Sequence, residues 1–274
     1  MTATYAQWFA SASQDEDFFL EPSEHSTLQS YFEGNFSLQD AVSRLTGPSK
    51  PQWNSHQASQ VWEVLLTLAE DYDEAHDDII SLVKALLSQS DAKGRADEEM
   101  YGFPFCWRAH HDSLWAQECN IKSFSDPVGS KWVTYQAFTA RLIASSLVGA
   151  YGWVLFHTVD ALEKPVNPEK LTARQDVDIA AAAQYFIYAA NDILHHPLGS
   201  NGYDENNINV LWQEGNEFWE GEQGFTVERW EFWKKRFGQV RDLEQLRDGT
   251  REAARRAEVG MEKAERIGTK KGRR

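Results

Sequence analysis

Any chemistry this chain performs must come from a short list of side chains. Cys106, in the run FPFCWRAH at 103–110, could be a nucleophile with His110 as its base, although a buried Cys acting as a small hydrophobe is the commoner role. His110, His111 and Asp112 form one dense polar triplet and His195-His196 a second pair. Adjacent residues point to different sides of a helix, so neither group is a site by itself. His157 follows Trp153 by one helical turn and could serve as an acid or base in an internal pocket, or be a hydrogen-bonded core histidine. Arg141 lies beside Phe138, Leu142 and Ser145 in the most apolar part of the chain. A guanidinium there needs a partner, either a carboxylate ligand or one of Asp160, Glu163, Asp178 and Asp192. His157, Arg141, His110 and Cys106 are therefore the catalytic candidates.

Two further patterns invite a binding reading. Asp73 and Asp77 in EDYDEAHDD stand four residues apart, the spacing by which helical carboxylates hold a divalent cation. No second acidic motif downstream completes such a site, and helix capping with acids in a first turn explains them more simply. The reading is therefore no metal and no cofactor. The second pattern is FTVERWEFWKKRF at 225–237, with five large aromatics in thirteen residues. With Thr226 as N-cap, Val227, Trp230, Trp233, Phe237 and Val240 fall on one helical face, and Glu228, Glu231, Lys235, Arg236 and Gln239 mostly on the other. That is the pattern of a core helix with a charged back, and Phe225 is placed to staple its start. Phe232 falls off the stripe, so Phe232, Arg229 and Trp153 are the ligand-binding candidates.

The elements that must position these groups read as helices throughout. Asn35 or Ser37 caps LQDAVSRL; amphipathic patterns follow through Val61, Leu65, Leu68 and Tyr72, then through Ile79, Ile80, Val83, Leu86 and Leu87. An aromatic loop at 101–107 precedes a short helix near 108–119. The strongest helical segment covers 131–163, with a bend expected at Gly149 or Gly152, and another spans about 176–195, ending before Pro197. Residues 241–266 have helical composition but almost no apolar stripe, which predicts an exposed or marginal helix.

Composition bounds the class. The chain has 274 residues, of which 42% are hydrophobic, including 11 Trp; that suffices for a real core, and few alternating Val/Ile/Thr runs argue against β structure. A formal charge of -15 disfavours phosphate-backbone binding. Residues 241–274, with 11 Lys/Arg against 7 Asp/Glu, are the exception. Nucleic acid is thus an unlikely partner except through that tail. The two cysteines cannot form a disulfide framework, and the most apolar window, 142–156, is too short to span a membrane. With no basic, apolar leader, the expected location is cytoplasmic, or nuclear by way of the tail.

Several of these segments carry a resemblance. FWEGEQGFTVERWEFWKKRF resembles the C-terminal signature of a filamentous-fungal family known as domain of unknown function 3632, with its Gly-Phe-Ser/Thr-x-x-Arg-Trp-x-Phe-Trp core. WVTYQAFTARL at 132–142, VDALE at 159–163 and AAAAQYFIYAAN at 180–191 are similar to its other helices. The resemblance covers roughly residues 60–240 and implies an all-α fold and a fungal origin. It transfers no activity.

The expectation is a single all-α domain over 26–240, with a loosely attached segment at 1–25 and a charged helix or tail at 241–274. Without a catalytic motif, the function expected is that of a non-enzymatic interaction or regulatory protein with an unknown protein partner. The alternative is a helical enzyme or accessory protein of fungal specialised metabolism that takes a small apolar or aromatic ligand in an aromatic pocket near Trp153, His157 and Arg141.

Overall fold

The computed structural model describes residues 2–12, 20–46, 56–89, 102–166, 169, 171–196, 218–222 and 224–271. Every regular element among them is helical, so the all-α class holds. The contacts gather into two compact units, residues 1–114 and 115–274.

The first unit contains α1 (Thr2–Ala12), α2 (Pro22–Phe32), α3 (Leu38–Leu45), α4 (His56–Asp71), a 3-10 turn (Asp73–Ala75), α5 (His76–Gln89) and most of α6 (Phe103–Glu118). Ser37 caps α3, in a reciprocal box with Asp40. The periodic apolar residues of α4 and α5 are buried as the spacing requires, among them Leu65, Leu68, Ile79, Val83 and Leu86. Phe9 is fully buried and stacks on Phe32, and the Trp8 indole N–H donates to Asp71 at 2.7 Å. Aromatic burial of this kind contributes much apolar area for few residues. The expected loop at 101–107 is also corrected: α6 begins at Phe103, because Pro104 falls in its first turn, where the missing N–H costs nothing.

The second unit is organised around α9 (Ala173–Tyr188), reached in chain order through α7 (Pro127–Ala144) and α8 (Tyr151–Leu162) and followed by α10 (Ala190–Leu194), α11 (Val227–Arg241) and α12 (Asp248–Lys271). The expected bent helix over 131–163 is two helices. α7 closes in a Schellman turn, with Ser146 N–H donating to the Ile143 carbonyl and Leu147 N–H to that of Leu142, and Ser146 itself at φ 57°. The break, residues 145–150, contains Gly149, one of the two expected positions, but a serine and not a glycine holds the left-handed position that closes α7.

α9 packs against α7, α8 and α12. Its four consecutive alanines, 180–183, are buried and let neighbouring helices come close. α12 answers with small residues of its own: Ala253, Ala254, Ala257 and Ala264 are buried, together with the larger Met261. This corrects the expected exposed helix over 241–266. The stripe is there, but written in alanine, which hydropathy patterning undercounts. The start of α12 is pinned to α9 by Asp176, a buried carboxylate that accepts from the Arg247 backbone N–H at 2.9 Å, the Arg247 Nε at 2.6 Å and the Thr250 hydroxyl at 2.9 Å.

At Gly260 the approach is closest: a Cβ there would lie 2.1 Å from the Phe186 backbone oxygen. Gly260→Ala is therefore expected to destabilise the protein by roughly 1–3 kcal/mol through overpacking. Gly249→Ala, in the same helix with open space around its Cβ position, should be neutral or stabilising. Thermal denaturation of the two variants decides the matter. Equal melting temperatures would refute the close contact.

Candidate functional site

The side chains with the most chemistry in the second unit converge where α8 ends. Glu163, the residue after α8, is fully buried. Thr226 caps α11 by accepting from the Arg229 N–H, as the sequence predicts, and this sets Arg229 in the first turn facing Glu163. The guanidinium and carboxylate pair two-on-two, Nε to Oε1 at 2.6 Å and Nη2 to Oε2 at 2.8 Å. The Trp233 indole N–H donates to Oε1 at 2.7 Å, and Arg229 Nη1 donates to the Gly224 carbonyl at 3.2 Å. Gly224 sits at φ 79°, a conformation glycine adopts freely. One helical turn later Arg236 Nε caps the end of α8 through the Leu162 carbonyl at 2.8 Å. Arg229, a ligand-binding candidate by sequence, thus spends its donors inside the fold. Glu163, a candidate partner for Arg141, is held by Arg229 and Trp233.

The rest of the motif behaves as a core helix. Trp230, Trp233 and Phe237 lay their rings around Phe186 of α9, at centroid distances of 5.6, 5.9 and 5.3 Å. Val227 is 55% exposed, contrary to the stripe, because it lies in the first turn, beyond the buried stretch. Phe225 is buried against Trp233 at 5.9 Å. Phe232 meets Trp219 at 5.4 Å.

The other candidates separate into three places. His157 and Trp153 come together: the imidazole stacks on Trp153 at 5.7 Å and on Tyr185 at 6.4 Å, with Trp132 and Phe156 edge-on at 5.2 Å. This is a packed aromatic cluster around a buried histidine. Arg141 is half-buried, its guanidinium 4.2 Å from the centre of the Tyr188 ring. In the first unit, Cys106 is buried, and burial pushes its thiol up to about 12, the reverse of activation. His110 lies between two carboxylates of α4, Nδ1 3.1 Å from Glu63 and Nε2 2.8 Å from Glu70. Burial pulls its pKa down, but hydrogen bonds and charge from Glu63 and Glu70 outweigh that and raise it to about 9. A protonated imidazole beside a thiol of raised pKa is not a base–nucleophile pair. Asp73 in the 3-10 turn and Asp77 in the first turn of α5 are both exposed, and no group of three His, Cys, Asp or Glu among the described residues is placed to hold a metal.

Sequence reasoning missed one charged cluster. Glu118 ends α6 with 1% of its side chain exposed, and Arg174 and Asp178 stand one turn apart on α9. Arg174 Nε lies 3.2 Å from Glu118 Oε1 and 3.8 Å from Asp178 Oδ2, while its Nη2 is 3.9 Å from Asp160. Beside them is a cleft of about 200 Å³, lined by Asp160, Lys164, Arg174, Gln175 and Asp178 with Val166 on its apolar side. Burial and the Glu118 charge raise Asp178 to about 8, and burial raises Glu118 as well. The i,i+4 pairs Asp160/Lys164 and Arg174/Asp178 were legible in the sequence. Their convergence on Glu118 needed the fold.

The histidine clamp has a measurable signature. His110 keeps its proton to about pH 9 when folded, against 6.5 as the ordinary value. Its contribution to stability is therefore complete below about 6.5 and lost as pH rises through 9. In a nuclear magnetic resonance titration of the imidazole carbons, His110 should titrate near 9, and Glu70→Gln should lower its midpoint. A midpoint at or below 6.5 would contradict the clamp.

No curated protein and no solved structure matches the chain. Residues 62–237 match the family described as protein of unknown function (DUF3632). That span runs from Trp62 in α4 to Phe237 in α11 and includes Glu163, Arg229 and Trp233. The match covers more than half of the chain, which belongs to the DUF3632 family.

Proposed function

We propose that the chain is a non-enzymatic interaction protein that recognises a partner through an aromatic ledge on the back of α11. The observation that carries this reading is the ledge itself. Phe218 is 42% exposed, with the Arg236 guanidinium 5.0 Å from its ring centre. Next to it, Trp219 folds over Gly221, donates its indole N–H to the Glu222 carbonyl at 3.1 Å and meets Phe232 at 5.4 Å. Rigid aromatics beside an arginine are the residue types that anchor protein interfaces, because they bury much area at little entropic cost. Exposed Glu220, Glu222 and Glu228 surround the ledge, which favours a partner segment with an apolar anchor flanked by basic residues.

Two observations weaken an enzymatic reading. Arg229 and Glu163 neutralise each other in the interior, and the Cys106/His110 pair has the wrong protonation for nucleophilic attack. The alternative, a small-molecule protein of specialised metabolism, rests on the cluster around Trp153 and His157, where the rings pack on one another. As for location, no described helix is long and apolar enough to cross a membrane.

The test compares wild type with the double variant Phe218→Ser/Phe232→Ser, first matched for melting temperature. Both are used as bait in extracts of the source organism, with bound proteins quantified by mass spectrometry. The reading expects a partner recovered by wild type and lost at least tenfold by the variant. A wild type that recovers no specific partner, or a variant that keeps the same one, would overturn it.

A further inference from the structure

The outer face of α12 is independent of the aromatic ledge. The inner face is the alanine stripe packed on α9, and one flank turns to α11, where Glu258 pairs with Arg241 and Glu265 with Lys234. On the solvent side most charges pair within the helix: Arg251 with Asp248, Arg255 with Glu252 and Arg266 with Glu262. Two cations stand outside this scheme. Arg256 and Lys263 are exposed and make no ion pair or hydrogen bond with a described residue. Arg256 lies 6.0 Å from the centre of the Tyr188 ring, near the limit of a cation–π contact. Glu252 feels the Arg256 charge, but both its oxygens accept from Arg255. Two aliphatics share this side: Val259 is 47% exposed and Ile267 36%. At 3.6 residues per turn, positions 256, 259, 263 and 267 fall within roughly 80° of arc. They form a straight stripe about 16 Å long in which cation and aliphatic alternate.

We infer that this stripe docks an acidic amphipathic helix of a partner protein, whose carboxylates pair with Arg256 and Lys263 and whose apolar side chains cover Val259 and Ile267. Steps of three and four residues are those by which one helix seats another, because side chains so spaced form the ridge that fits a neighbour's groove. Charge decides the sign of the partner: uncompensated cations along a seam favour carboxylates opposite them and reject a basic helix. Arg256 and Lys263 lie two turns apart, about 10.5 Å, so the matching acids stand seven residues apart on the partner with an apolar residue between them. Other occupants fit less well. Two free cations neutralise few phosphates, against a formal charge of -15 on the chain. Val259 and Ile267 offer less apolar surface than a helix lying in a bilayer surface buries. A two-fold contact between copies would set two positive stripes face to face.

The experiment is fluorescence anisotropy of labelled peptides titrated with the full chain. The probe is a three-heptad helix of alanine and glutamine that carries Glu and Leu alternately along one seam, and the control has Lys in place of Glu. Phosphatidylserine vesicles and a duplex DNA are added as competing polyanions, and sedimentation of the chain alone reads self-association. The expected result is that the Glu peptide binds about tenfold or more tighter than the Lys peptide, that salt weakens it, and that neither vesicles nor DNA displace it. Arg256→Glu/Lys263→Glu should reverse the preference between the two peptides. Val259→Asp should weaken the Glu peptide about tenfold while leaving both cations in place, so the inference stays testable if the double variant does not fold. No preference between the peptides, a preference unchanged in either folded variant, displacement by vesicles or DNA, or a chain that dimerises until Arg256 and Lys263 are reversed would overturn it.

Discussion

A carboxylate taken out of water loses several kcal/mol of hydration that only well-formed contacts recover, and Glu163 is fully buried. Three directed donors meet it, two from Arg229 and one from Trp233. Each imposes a condition on the chain. Arg229 can reach only if Thr226 caps α11, and its third donor requires the turn at Gly224 to offer a carbonyl. Trp233 must lie one turn further along the same face, which also brings Trp230 and Phe237 against Phe186. The aromatic spacing of the motif and the acid that ends α8 are thus two halves of one interaction, 66 residues apart in sequence.

The other half of the second unit obeys a steric constraint. α9 and α12 approach until the Phe186 carbonyl leaves no room for a Cβ at position 260, and the buried faces are largely alanine. Close backbone approach multiplies small dispersion contacts in place of large hydrophobic ones. Directional bonds then fix the register: Asp176 holds Arg247 and Thr250 at one end of α12, and Glu265 accepts from Trp230 and Lys234 of α11 at the other.

Local signals were legible in the sequence and distant ones were not. The caps at Ser37 and Thr226 and the buried positions Trp230, Trp233 and Phe237 follow from side-chain type and helical period alone. Gly149 lies in the break between α7 and α8 as the sequence suggests, but the left-handed residue that closes α7 is Ser146, where glycine is expected. The stripe of α12 was invisible because alanine scores weakly in any hydropathy pattern. Pairings failed for a deeper reason. Arg141 offered four carboxylates within reach in sequence, but which helix packs on which decides the partner. Glu163 went to Arg229, and Asp178 to Arg174. The same limit kept the cleft out of view. For Phe232, the residue off the stripe, the fold supplies a neighbour in Trp219 that the sequence placed thirteen residues earlier.

The claim on which the rest depends is that Glu163 and Arg229 act as one buried unit. A double-mutant cycle by chemical denaturation, with Glu163→Gln, Arg229→Gln and the pair, tests it most directly. Each single variant should lose roughly 3–5 kcal/mol, because it strands the remaining charge, and the double variant should lose no more than the worse single one. Losses that simply add, or single variants as stable as the wild type, would contradict the account.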